Sequence, residues 1–342
     1  MPEVNVDAMQ QSDGQHTSEL RSAREVIERL SRRARAVIVG RDDVIELTLI
    51  ALLADGHVLL EDYPGSGKTT LARCLGDSLE GDAGGAIVPF RRIQFTPDLL
   101  PSDVTGTSVF DLEHNRFVFR PGPIFAHIVL ADEINRTSPK VQAAMLEAMA
   151  EKQVTIDNDT HALDELFFVI ATQNPLDVAG TYPLPTPQLD RFLFKIEMKH
   201  IERDAELDVL RQYPRPSLDM SQGLPRVRRL ELSAARRAIR ASVHIAEPIR
   251  VALVDLARAL RTDERVLQGA STRSLVLMLP ALQVRALIHG RDHVSPEDIE
   301  ALALPIFGHR IECVPGVMDK ADVIRSNLLP VIERLARVSL QR

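Results

Sequence analysis

The stretch that most constrains this chain is a glycine-bearing turn between an apolar run and a helical pattern. His57 to Glu61 (HVLLE) is short and apolar, and Lys68 to Leu79 spaces its apolar residues as a helix does. The turn and the start of that helix read Asp62, Tyr63, Pro64, Gly65, Ser66, Gly67, Lys68, Thr69, Thr70. Strand, tight loop and helix in this order predict an α/β unit. The loop can cradle an anion. Gly65 and Gly67 let successive backbone N–H groups converge on phosphate oxygens, and the following helix points its positive N-terminus at the same place. Lys68 would reach the β- and γ-phosphates of a nucleotide and Thr69 would bind Mg2+. The G-x-x-x-x-G-K-[ST] template has one mismatch, Asp62 at its first glycine.

The pattern around this turn repeats. Phe90 to Phe95, His127 to Ala131, Leu166 to Ala171 and Phe192 to Met198 read as further strands, with helical segments such as Ser138 to Glu151 between them. The expected fold class is therefore α/β, a parallel sheet with helices on both faces. Residues 1–17 look like a flexible tail. From Ser18, the apolar positions Leu20, Ala23, Ile27, Leu30, Ala34 and Val37 predict a helix with one buried stripe, whose solvated face would carry Arg32, Arg33 and Arg35. Asp42 to Asp55 predicts another. Val104 to Phe119 and Gln153 to Leu163 each place a polar turn between β-rich arms and read as hairpin inserts, candidate contact loops. The proline-rich run from Tyr213 to Pro225 marks an interdomain linker, so the α/β domain is expected over 18–212 and the linker over 213–228. Beyond it, 229–342 reads as an all-α domain: Ser233 to Ser242, Glu247 to Arg261, Thr272 to His289, Ser295 to Ala303 and Asp322 to Val338.

Three further segments carry chemistry. Ile128 to Glu133 is an apolar strand ending in two acids, the Walker B arrangement of P-loop NTPases. Asp132 can hold Mg2+ through water, and Glu133 can orient and deprotonate an attacking water. Another strand ends in Thr172-Gln173-Asn174-Pro175, where the Asn174 amide can approach the γ-phosphate and that water. Arg191 stands just before the last strand, and an arginine supplied by a neighbouring subunit stabilises transition-state charge. Ser271-Thr272-Arg273 opens a helix of the second domain, where a cation could reach bound nucleotide.

Composition narrows the partners. With 41 Lys+Arg against 48 Asp+Glu, the net charge of −7 disfavours coating nucleic acid by bulk electrostatics. Eleven Phe, three Tyr and no Trp are too few for base-stacking platforms. Cys74 and Cys313 have no CxxC partners and read as small buried residues rather than a disulfide framework or metal site. The polar, acidic N-terminus has no apolar h-region and no segment is long enough to cross a bilayer, so a cytoplasmic protein is expected.

Taken together, HVLLEDYPGSGKT, FRRIQFTPDLLPSDVTGT, FVFRPGPIF, LADEINRTSPKVQAAMLEAM, ATQNP and GTYPLPTPQLDRF, in this order and spacing, resemble the MoxR family of AAA+ ATPases over about residues 20 to 340. The resemblance implies a P-loop NTPase domain followed by an all-α lid. It makes Lys68 and Thr69 Walker A, Asp132 and Glu133 Walker B, Asn174 sensor 1, Arg191 the arginine finger and Arg273 sensor 2. Val39 and Gly40 would lie beside adenine, Val104 to Phe119 would be the helix-2 insert, and Gln153 to Leu163 the hairpin before sensor 1. It further implies ATP and Mg2+ as cofactors, a homo-hexameric ring with nucleotide at its seams, and remodelling, maturation or metal insertion of a protein client with a separate von Willebrand factor A (VWA) domain partner. Two departures are Asp62 and Thr272, which stands where many relatives have proline. The run Glu80 to Pro89 lengthens the connection before FRRIQF. The competing class is a nucleic-acid motor or a chelatase-type ATPase. Few basic residues stand near the inserts, Arg116 and Arg120 by the first and Lys152 before the second, and this favours a protein client.

Overall fold

The computed structural model describes residues 6–61, 66–81, 87–174, 180–212 and 220–340, with side chains from 17 to 337. Five strands, β1 (Val58–Glu61), β2 (Val88–Gln94), β3 (Ala126–Asp132), β4 (Phe168–Gln173) and β5 (Phe194–Glu197), form one sheet in the order β5-β1-β4-β3-β2, with every pair parallel. The central strands are buried on both faces, which explains why they read as continuous apolar runs rather than as alternating ones. β2 lies at an edge and exposes Arg91, Arg92 and Gln94. One core cluster gathers Leu59, Val129, Val169, Phe95, Phe167 and Phe192 with Met145 and Met149, which belong to the helix from Pro139 to Glu151. The helices introduced first in the chain are α1 (Val6–Val37), α2 (Asp42–Ala54), α3 (Lys68–Asp77), α4 (Pro139–Glu151) and α5 (Arg203–Gln212).

The chain divides into two compact units, Leu30–Arg229 and Met1–Arg29 with Leu230–Arg342. The second unit is built largely of helices: α6 (Arg229–Ser242), α7 (Glu247–Thr262), α8 (Thr272–Ile288), α9 (Pro296–Phe307) and α10 (Lys320–Leu340). α9 opens with a capping box formed by Ser295 and Asp298.

Four expectations change. α1 begins at Val6, so residues 6–17 are helical and not a tail; once the stripe from Leu20 onward nucleates the helix, extending it upstream through a run without proline costs little. Residues up to Arg29 group with the helical unit rather than with the α/β domain, since the apolar stripe is buried on both sides of the division. The later part of the expected linker is ordered: Val227–Arg228 pairs in parallel with Leu79–Glu80, while residues 213–219 lie outside the described residues. The helical unit also holds a two-stranded ribbon, Val266–Gln268 with Glu312–Cys313, so it is not purely α.

Arg33 is a further correction, because it is buried, 3% exposed, rather than on a solvated face. It stands three residues after Leu30 and four before Val37, on the inward side of α1. Its guanidinium donates to Ser78 Oγ (3.0 Å), Ser221 O (3.0 Å), Leu224 O (2.6 Å) and Asp77 O (3.2 Å). Burial of an arginine is tolerated when carbonyls fill its donors in this way.

A largely covered carboxylate lies at the opposite end of the sheet from the phosphate loop. The Asp164 carboxylate accepts from Arg229 Nε (3.0 Å) and the Leu166 N–H (2.8 Å), and His127 Nδ1 stands 3.4 Å away. Burial pushes this carboxyl up, but its His127, Arg229 and Leu166 neighbours outweigh burial and hold it well below the usual carboxylate range. A depressed carboxylate adds stability above its unfolded pKa and loses it as pH falls through the folded value. Asp164→Asn should therefore cost about 2 kcal/mol at neutral pH, and the gap to wild type should begin to narrow only as pH falls below about 4, the ordinary carboxylate value, and go on narrowing toward the depressed folded value. Urea unfolding at several pH values checks this; a gap that does not depend on pH would contradict it.

Candidate functional site

In a parallel sheet, ligands bind beyond the carboxyl ends of the strands, at the point where the strand order reverses. Here β1 has β4 on one side and β5 on the other, and its carboxyl end runs straight into the expected phosphate loop. Glu61 closes β1. Its carboxylate accepts from Gln173 Nε2 (2.6 Å) on β4 and pairs with Lys195 Nζ (2.7 Å) on β5, so the three strand ends are held level.

A cavity of ≈ 350 Å3 opens above these ends. Ser66, Gly67, Lys68, Thr69, Thr70, Asp132, Glu133, Thr172, Gln173 and Asn174 line it. Gly67 is the N-cap of α3 and has φ 93°, with open space where a Cβ would stand. The constraint there is the left-handed backbone and not crowding, so the turn needs glycine to bring α3's free N–H groups to the cavity. Asp62, Tyr63, Pro64 and Gly65 lie outside the described residues.

The acids are positioned from β4 and β2. The Thr172 hydroxyl donates to Asp132 Oδ1 (2.6 Å) and accepts from the Glu133 N–H (2.8 Å). Glu133 has φ 57° and ψ 48°, a left-handed conformation that a glutamate adopts at a cost. Its carbonyl accepts from the Arg136 N–H (2.9 Å), so bonds on both sides fix the strained residue. Arg92 donates to Asp132 Oδ2 through Nε (3.0 Å) and Nη2 (2.7 Å). Gln94 accepts from Arg92 and donates to Glu133 Oε2 (2.7 Å). Arg136 Nη1 lies 3.4 Å from the same carboxylate oxygen.

Of the residues singled out from the sequence, Ser66 to Thr70, Asp132, Glu133 and Asn174 thus converge on one cavity. Arg191 does not line it; it stands between a short helix (Thr186–Leu189) and β5, its N–H bonded to Gln188 O. Val39 and Gly40 lie between α1 and α2, also outside the lining. Gly40, at φ 71°, meets α5: a Cβ on it would stand 2.6 Å from Ala205 Cβ. Arg273 belongs to the helical unit, where it follows Thr272 at the start of α8, capped by Ser271. Thr172, Arg92, Gln94 and Gln173 were missed as site residues. Their signal was polarity at the last positions of otherwise apolar strands.

The donor set suits a small hard cation. Thr69 and Asp132 offer oxygen at the same cavity, and among the described residues no group of three or more His, Cys, Asp or Glu could cage a metal alone. Mg2+ fits such a site because it takes most of its ligands from phosphate and water.

The sheet order, the glycine-bearing turn that opens α3 and the paired acids at the end of β3 define a AAA-type nucleoside-triphosphatase fold with a helical lid. Comparisons with known proteins agree. Residues 57–194 match the model for the ATPase family associated with various cellular activities (AAA), and residues 258–326 that for the AAA lid domain. The chain is 46% identical to the uncharacterized protein YeaC of Bacillus subtilis over 82% of its own length and 84% of the relative's. It is 36% identical to the chaperone MoxR1 of Mycobacterium tuberculosis over 83% and 75%, and 30% identical to the protein MoxR of Methylorubrum extorquens over 91% and 94%. A crystal structure of a candidate ATPase from Cytophaga hutchinsonii superposes with a TM-score of 0.83 at 34% identity, covering 94% of this chain and 98% of that one. The chain belongs to the MoxR family of AAA+ ATPases.

Thr172 yields a direct test of the acid geometry. Thr172→Val keeps the shape but strips Asp132 Oδ1 and the Glu133 N–H of their shared partner, so it should cost about 1–3 kcal/mol of stability, and Thr172→Ser should restore most of it. Equal unfolding midpoints for wild type and Thr172→Val would show that the bridge contributes nothing.

Proposed function

We propose that the protein hydrolyses ATP to ADP and phosphate and uses the cycle to remodel a protein client. The observation that carries this reading is the convergence of Lys68 and Thr69 with Asp132, Glu133 and Asn174 on one cavity at the head of α3. The N–H groups of the turn and Lys68 bind the β- and γ-phosphates. Thr69 and Asp132 would hold Mg2+, which would supply positive charge against the phosphates. Glu133 accepts a proton from water as the water oxygen bonds to the γ-phosphorus and the bond to the β-phosphate oxygen breaks, releasing ADP and phosphate. Asn174 orients that water.

Arg191 lies away from the cavity lining, which suits a residue that serves the site of a neighbouring copy in a ring, with Arg273 as the lid's contribution to its own site. We take the assembly to be a homo-hexamer in the cytoplasm. Among the described residues, no helix is long and apolar enough to cross a membrane.

A protein client is favoured by the first insert, and we take a VWA-domain protein to be the partner. This hairpin, Gly106–Asp111 with Arg116–Pro121, exposes Phe110, Leu112 (86% exposed) and Phe117 (71%), with the two phenyl rings in edge contact at 5.1 Å. An apolar tip suits a protein surface better than a phosphate backbone. The name of the chaperone relative points the same way.

Lys68→Ala should weaken ATP binding roughly tenfold or more. Glu133→Gln should bind ATP normally yet turn it over at least about 100-fold more slowly. Isothermal titration and a phosphate-release assay separate the two, and wild-type turnover by Glu133→Gln would remove the assigned base. Arg191→Ala should lose roughly 100-fold in turnover with affinity retained, and Arg191→Ala mixed with Glu133→Gln should recover activity at seams that pair an intact base with an intact finger. No recovery would place Arg191 in its own subunit's site. Stimulation of turnover by DNA or RNA, rather than by protein, would favour the motor reading.

A further inference from the structure

Cations of the protein itself stand against the acids at the end of β3. Asp132 and Glu133 are adjacent in sequence, and a guanidinium stands at each: Arg92 on Asp132 and Arg136 near Glu133. The Arg92 contact is the closer and the more specific. Both Nε and Nη2 address one oxygen, Asp132 Oδ2, while Oδ1 takes the Thr172 hydroxyl, so each carboxylate oxygen accepts from the protein. Gln94, two residues along β2 and on the same face, accepts from the outer edge of the guanidinium at an exposed position. Arg92 is not locked in place, since its side chain is 48% exposed against 11% for Asp132. It is a cation on a flexible stem, aimed at a carboxylate that the fold holds still.

We propose that Arg92 is a positioning residue that occupies Asp132 in place of the metal and swings away when Mg2+ arrives with nucleotide, so that its charge sets how much Mg2+ the site requires. This rests on the ATPase reading. Two cations cannot hold Oδ2 at close range without repulsion, and the exposed stem gives Arg92 a route into solvent. The exchange costs the arginine its charge-assisted bonds to Asp132, a cost that Mg2+ must offset on binding. Because the Arg92 side of the pair is half-exposed, solvent screens it and the effect is moderate. Arg92 does not touch the reacting atoms in this scheme, and it acts only through Asp132.

The test uses the full-length chain and a fluorescent ATP analogue, with binding followed while MgCl2 is raised from zero in a chelator-buffered solution. The readout is the Mg2+ concentration at half-maximal nucleotide binding, which does not depend on turnover. Arg92→Gln should lower it roughly three- to tenfold, because no charge then has to leave. Arg92→Lys, which keeps a positive charge on a similar stem, should stay within about twofold of wild type. An unchanged or raised Mg2+ requirement in Arg92→Gln, with an unfolding midpoint equal to wild type, would overturn the proposal, and so would a lysine variant that behaves like the glutamine one. A wild-type chain that binds no ATP analogue at any Mg2+ concentration would overturn the ATPase reading itself, and this proposal with it.

Discussion

The site depends on one local constraint, the level alignment of three strand ends by Glu61. Parallel strands fix neighbours in register, but strand ends still fray unless something holds them. Glu61 supplies that hold, bonded to Gln173 on one side and paired with Lys195 on the other. The consequences spread outward. Gln173 is followed by Asn174, Glu61 is followed by the phosphate loop, and β4 carries Thr172, whose hydroxyl sets both acids of β3. Asp132, Glu133 and Asn174 are thus each at most one residue or one hydrogen bond from a strand that Glu61 ties down, while Lys68 and Thr69 reach the cavity from the head of α3.

Much of this was legible in the sequence, and for physical reasons. A central parallel strand is buried on both faces, so it must be apolar throughout and end abruptly at its first functional residue; Ile128 to Glu133 has that form. The glycine at 67 was legible because only glycine readily takes its backbone conformation. The sequence concealed whatever depends on neighbours brought together by strand order. FRRIQF reads as a strand, but nothing in it says that β3 lies beside it, so nothing singled out Arg92 and Gln94 until strand pairing brought their side chains onto Asp132 and Glu133. Arg33 was hidden for a related reason. Its carbonyl partners come from the end of α3 and from residues 221 and 224, far away in sequence.

Boundaries followed the same division. The buried stripe of α1 was visible residue by residue, because burial imposes a period. The start of α1 was not, because upstream of the stripe only weak helix propensity speaks. The short pairing of Val227–Arg228 with Leu79–Glu80 turned part of an expected linker into structure, and a proline-rich composition could not have announced it.

The two inserts differ in sequence and connect to different strands, yet Phe119 of the first stacks on His161 of the second, with ring centres 3.8 Å apart and planes 18° from parallel. Phe119 also meets Phe125, just before β3. In mechanical terms the pair is a spliced beam. A load applied at the exposed tip around Leu112 is shared with the second hairpin, which leaves the far end of α4, and it also reaches the root of the strand that carries the acids. Through one aromatic contact, a displacement of either slender hairpin would be felt by the other.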